Sequence, residues 1–289
     1  MKIDISNYFD DRTLVIIDVD SIAKYDFVSS FMGNKGGKPA FSFDLHGKKH
    51  NSTIIYSMLS RIVNTLYYID DVDILVSFDT KPNFLNWINS LTVEKAFLNK
   101  SDFYNQLTAL RLAFKEMGLT VLEKDGVTND SLIKKAVMGN YDDYDKIIVY
   151  TRDKMLYNLV DEKVSLVLPS SKYDLTLENF KSYMSVEPNQ FYLKLTMLGD
   201  STLELKGVNK IGKVKFNKML EQDLSNIDLF IKTTNLLNEN QRNEALAIYN
   251  WLQPEDISEV SINPKKINKS VLKNYLNFFE CNSLIQKVI

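Results

Sequence analysis

Three aspartates each close a short apolar run. Leu14–Ile17 leads into Asp18, Ile74–Phe78 into Asp79, and Ile147–Tyr150 into Thr151-Arg152-Asp153. Runs rich in Val, Ile and Leu with polar boundaries read as buried strands. In parallel sheets, sites form at the carboxyl ends of the strands, so acids at three such ends make a functional pattern more than a packing one. A second group is basic. Between Lys206 and Lys218 there are five lysines and no acid. Such a run commonly forms only a solvated face. Here Gly207 and Gly212 allow close backbone approach, and the amides of a helix start beside Lys210, Lys213, Lys215 and Lys218 suit a phosphate. His46, His50 and Cys281 are too few for a structural zinc site.

The elements that must position these groups follow from periodicity. Leu119–Leu122 before Glu123 and Val164–Leu168 before Pro169 add two more strands. Helical patterns lie between the strands at Ser52–Ile69, Asp102–Met117, Asp130–Val137 and Lys154–Val160. This alternation predicts an α/β fold, a mostly parallel central sheet with helices on both faces, over residues 1–185. From 186 to 289 no strand is evident. Gln190–Leu198, Lys213–Gln222, Ile227–Thr234, Asn240–Leu252 and Lys269–Phe279 read as a helical region packed on the sheet. Phe31–Asp44, with three glycines, reads as a mobile loop.

Composition sets the outer bounds. The chain has 289 residues, 45% hydrophobic and 25% charged, with a net charge of −2 that announces no nucleic-acid partner by itself. Its apolar runs are too short to cross a bilayer, and no signal segment is evident at the N-terminus. A single cysteine excludes an internal disulfide and fits a reducing cytoplasm.

Several segments, in order along the chain, resemble the 5′-nuclease family of flap endonucleases and 5′→3′ exonucleases. They are the opening strand and turn Leu14–Ala23, the turn and helix Gly47–Tyr56, the second acidic strand end Val76–Asp79, a helix-hairpin-helix at Lys206–Lys215, and the C-terminal segment Leu276–Leu284. The resemblance implies a PIN-like fold with a helical arch at about 81–117 and a DNA-binding C-terminal region over 186–289. It also implies divalent metals, Mg²⁺ or Mn²⁺, held by carboxylates for phosphodiester cleavage, and a K⁺ ion at the hairpin. The form of the resemblance suggests a bacterial or phage-infected host cell.

Carried over residue by residue, the family's acids are kept at Asp18, Asp79, Asp130, Asp153 and Asp200. Four family acid positions read as Thr128, Ser131, Met155 and Leu203, the last depending on alignment because Glu204 is adjacent. Hard cations need oxygen ligands. The expectation is therefore at most one weakly bound ion rather than a two-metal centre. Lys95 falls at the family's arch lysine, implied as catalytic, while the arginine expected after it reads as Leu98. Taken singly, Asp130 and Asp200 also read as helix or turn caps.

Three functions stay open. The first is a DNA-binding protein acting on branched or 5′-ended DNA, in replication or within a larger replication or transcription assembly with a protein partner, its cleavage reduced or lost. The second is an active metal-dependent exonuclease or flap endonuclease with an atypical ligand set. The third is an interaction module without DNA binding.

Overall fold

A computed structural model describes residues 12–32, 41–69, 71–80, 100–169, 171–255, 257 and 262–288. Five parallel strands form its centre: β1 (Thr13–Asp18), β4 (Val72–Ser77), β5 (Thr120–Leu122), β6 (Lys146–Tyr150) and β7 (Val164–Val167). Their order is β5-β4-β1-β6-β7, and the parallel pairing is as expected from sequence. Side chains alternate across a strand, and β1 shows the consequence. Leu14 and Ile16 join one apolar core, while Val15 and Ile17 join the other. Both faces are thus buried, which explains why these strands read as continuous apolar runs.

The second core is covered by α1 (Val19–Met32), α2 (Thr53–Tyr68), α3 (Lys100–Glu116), and near the C-terminus α10 (Lys269–Phe278) and α11 (Asn282–Ile285). The first is covered by α4 (Asn129–Asn140), α5 (Leu177–Met184), α6 (Phe191–Leu198), α7 (Lys213–Leu220), α8 (Ile227–Thr233) and α9 (Glu239–Leu252). The helices after 186 therefore divide between the two faces, and Phe216, Ile231 and Leu252 share one core with Leu14 and Ile147.

Some expectations change. Lys154–Leu159 is a 3-10 turn rather than an α-helix. Of the loop expected over Phe31–Asp44, residues 33–40 lie outside the described residues, α1 runs to Met32, and Ser42–Leu45 is a strand, β2. It pairs antiparallel with β3 (Lys48–Asn51) across a two-residue His46-Gly47 turn. Both turn residues have positive φ, 53° and 78°, as tight hairpins require. The pair lacks β-branched residues, so nothing in its composition marked it as strand. Within the region expected to hold the arch, residues 100–116 form the helix α3, with Phe103, Leu110 and Phe114 fully buried. Residues 81–99, Lys95 and Leu98 among them, lie outside the described residues.

A short ladder missed by the sequence reading, β8 (Gly199–Asp200) with β9 (Leu205–Lys206), brings the segment before α7 back against the end of α6. Gly199 has φ +69°, and a Cβ on Gly207 would sit 2.5 Å from Gly199 N and Met197 O. Those neighbours are backbone and cannot yield cheaply. Gly207→Ala is therefore expected to destabilise the chain by about 3 kcal/mol, read as a lower midpoint in urea unfolding, whereas Gly212→Ala, with open space at its Cβ, should cost much less.

Candidate active site

Strand register assembles the site. β1 is central: the chain leaves it for β4 and β5 on one side and later returns to β6 and β7 on the other, so a switch point falls at its carboxyl end. Asp18 lies opposite Ser77, and Ile17 opposite Tyr150. Asp79 and Thr151 thereby reach the same edge as Asp18. A cleft of about 350 Å³ opens there, lined by Asp18, Asp20, Asp79, Asp130 and Asp153 together with Lys24 and Asn129.

Asp18 is only 2% exposed. Its Oδ1 accepts from Ser21 N at 3.2 Å and Asn129 Nδ2 at 2.8 Å, and its Oδ2 from the Thr151 hydroxyl at 2.6 Å. The Thr151 oxygen in turn accepts from Asp153 N at 2.9 Å. Burial pushes the Asp18 carboxyl above its ordinary range even against these donors. Burial and the nearby Asp18 charge raise Asp153 to about 7, and burial raises Asp20 to about 7 against the Asp79 amide bond. Crowded, desolvated carboxylates of this kind resist ionisation together.

Of the five acids expected, the structure gathers Asp18, Asp79, Asp130 and Asp153 around the cleft. Asp200 is not among its lining residues. Its Oδ2 is paired with Lys154 Nζ at 2.5 Å, and its Oδ1 caps the following turn by accepting from Thr202 N at 2.8 Å. Lys154 and Thr202 together hold its carboxyl below the usual range even though partial burial works the other way. Asp130 carries its own cation, Lys134, at 2.9 Å. Among the described residues, no three His, Cys, Asp or Glu side chains gather closely enough to hold one ion.

The neutral residues at the remaining acid positions are settled into other contacts. The Thr128 hydroxyl donates to Ser131 Oγ at 2.8 Å, and Ser131 Oγ also accepts from Glu255 N at 3.1 Å. Met155 and Leu203 pack against the first core. Two groups were missed by the sequence reading. Asn129 bridges Asp18 and the Ser77 hydroxyl, and nothing in its type signals that role. Asp20 sits in the cleft wall with its Oδ2 accepting from Asp79 N at 2.6 Å. The Asp-x-Asp spacing at the strand end was the available clue.

At the hairpin, Gly212 is the residue before α7 in extended conformation, and Lys210 has φ +61°. Lys210, Lys213 and Lys218 are exposed. Lys215 is half-buried, its Nζ donating to Gln241 Oε1 at 3.2 Å.

A parallel sheet flanked by helices, with acids at the ends of its central strands, is the PIN-like architecture of metal-dependent nucleases. No family model matches the chain. It is 24% identical over 256 residues to the 5′-3′ exonuclease of Buchnera aphidicola subsp. Schizaphis graminum, covering 81% of this chain and 89% of that one. It is 25% identical over 201 residues to the 5′-3′ exonuclease of Mycoplasmopsis pulmonis, covering 68% and 67%. In fold it is similar to the bacteriophage T5 D15 flap endonuclease (TM-score 0.58, 17% identity, 96% and 93% covered). In sequence and in fold the chain is thus similar to 5′-nuclease proteins.

The side-chain nitrogen of Lys134 is nearly enclosed beside Asp130, with exposures of 3% and 14%. Lys134→Met should cost about 3 kcal/mol, because it leaves a largely buried carboxylate unpaired. The double change Lys134→Met/Asp130→Leu should recover much of that loss in the same denaturant titration.

Proposed function

We propose that the chain binds branched or 5′-ended DNA, in replication or as part of a larger assembly, with metal-dependent cleavage reduced or lost. One contrast carries this reading. The hairpin keeps its close glycine packing and its exposed lysines, while four of the nine family acid positions hold Thr128, Ser131, Met155 and Leu203 and a fifth, Asp200, is paired with Lys154. The names of similar structures support the DNA part: the T5 enzyme is a complex with DNA and metal ions, and human GEN1, of TM-score 0.57, is bound to Holliday junction DNA.

The residues present suit at most one hard divalent cation, held by one or two carboxylates, since no three acids gather among the described residues. The cleft offers carboxylate oxygens from Asp18, Asp79 and Asp153, with Asp130 shared with Lys134, and Asp20 Oδ1 is buried there without a hydrogen-bond partner. Mg²⁺ commonly uses only one or two carboxylates with waters and substrate phosphate. Such an ion supplies Lewis-acid polarisation of a phosphate and activation of water. The chain's own parts in this reading are distinct. Asn129 and Thr151 fix the Asp18 carboxylate, and the start of α7 holds the DNA backbone through amides and lysines. The role of Lys95 as a catalytic arch lysine and of K⁺ at the hairpin belong to the same family reading.

The working-enzyme alternative is favoured by the four acids that do meet at the cleft and by the names of the exonuclease relatives. Labelled flap and 5′-overhang duplexes, incubated with Mg²⁺ or Mn²⁺ and in parallel with EDTA, separate the two readings. The expected outcome is salt-dependent binding that survives EDTA, with little or no cutting. Lys213→Ala/Lys218→Ala should weaken binding roughly 10-fold and reduce the salt slope by about 2. Cutting that Asp18→Ala abolishes would overturn the loss of cleavage. Unchanged binding in the lysine variant would overturn the hairpin contact.

A further inference from the structure

We propose that Lys24 and Arg152 form a phosphate-binding rim on the α1 side of the cleft, gripping a phosphate of a nucleic-acid strand laid across it. The proposal rests on the reading that the chain binds DNA, and it accounts for how DNA meets an acid-lined cleft without a metal.

Both cations meet one face of α1. Ser21, Lys24 and Tyr25 stand three and four residues apart, so their side chains leave the helix together. Ser21 and Lys24 line the cleft. Arg152, just past β6, is fastened to that face from the other side. Its amide donates to Ser21 Oγ at 3.0 Å, its guanidinium lies 3.8 Å over the Tyr25 ring, and its Nη1 donates to the Pro169 carbonyl beyond β7. A guanidinium carries five N–H donors in a planar fork suited to phosphate, and here only Nη1 is engaged. Its other nitrogens are not among the buried atoms that lack a partner, so they face water. Held over Tyr25, the side chain has little freedom left to lose on binding.

The other cations beside the acids are committed. Lys134 pairs with Asp130 and Lys154 with Asp200. Neither Lys24 nor Arg152 has a carboxylate partner among the described residues. Burial raises the Asp18 and Asp20 carboxyls, and the Lys24 charge works against it in both, so its ammonium stands within electrostatic reach of the cleft floor. Five carboxyls line that cleft, and a phosphate entering among them is repelled unless cations stand on its path. A structural tie from β6 to the Pro169 carbonyl accounts for Nη1 alone and gives Lys24 no part.

The test is fluorescence anisotropy on a labelled 5′-overhang duplex, in EDTA and across a KCl series, with the 5′ end phosphorylated or left as a hydroxyl. Lys24→Gln/Arg152→Gln should weaken binding roughly 10-fold and lower the salt slope by roughly 1.5. Lys24→Gln alone should lower the slope by about half as much, with Tm unchanged, and it decides the matter should the double variant not fold. Equal losses on the two ends identify a backbone phosphate, and a loss confined to the phosphorylated end identifies the terminal one. A fall in Tm with affinity and salt slope unchanged marks a structural role only and overturns the rim. The hairpin reading then still stands if Lys213→Ala/Lys218→Ala weakens binding. An unaltered chain that binds no DNA overturns the rim and the DNA reading together.

Discussion

The site depends on one buried carboxylate at the end of the central strand. Asp18 cannot be solvated by bulk water, and removing an ionised carboxylate from water costs several kcal/mol. Three donors offset that cost: the Ser21 amide in α1, Asn129 at the start of α4 and Thr151 just past β6. Hydrogen bonds to a charged group contribute about 1.5–3 kcal/mol each, so the sum is of the same order as the penalty. The same contacts fix geometry. They join β1, α4 and β6 at one atom group, and Thr151 passes the constraint on to the Asp153 amide. The cleft is as rigid as Asp18 is well held.

The strands and most helices were legible because both faces of the sheet are buried, which leaves unbroken apolar runs with polar ends. Asp18, Asp79 and Asp153 were legible for the same reason, since a strand's end is where its apolar run stops. What stayed hidden depends on side-chain contacts between distant segments. That Lys134 is buried on Asp130 and Lys154 on Asp200 follows from tertiary placement, and isolated lysines in a sequence look like surface. Asn129 is a neutral residue whose significance comes wholly from reaching Asp18. The β2–β3 hairpin was hidden for a different reason. Its strands are short and largely exposed, and the alternation of Phe43 and Leu45 in β2 finds no counterpart in Lys48–Asn51.

Thr128, Ser131, Met155 and Leu203 are engaged in contacts of their own. Ser131 supports the Glu255 amide, and Met155 fills core space while its carbonyl accepts from the Tyr192 hydroxyl at 2.7 Å. Lys154 neutralises Asp200 where a retained carboxylate would otherwise stand without a counter-charge. A carboxylate put back at 155 would lose the packing of the methionine and meet the already raised Asp153 at close range.

Cleavage and backbone contact have different physical requirements, and the fold keeps them apart. Cleavage by metals needs several acids converging in one desolvated cleft, so each neutral substitution removes a ligand directly. A phosphate contact at a helix start needs backbone amides, a close-packed turn and nearby positive charge. Those depend on Gly199 and Gly207 meeting across the β8–β9 ladder and on the lysines of α7, none of which touches Asp18. Asp200 bridges the two regions, closing the ladder and pairing with Lys154 beside the Asp153 turn. As a cap and ion-pair partner it supports the hairpin independently of the acids around Asp18.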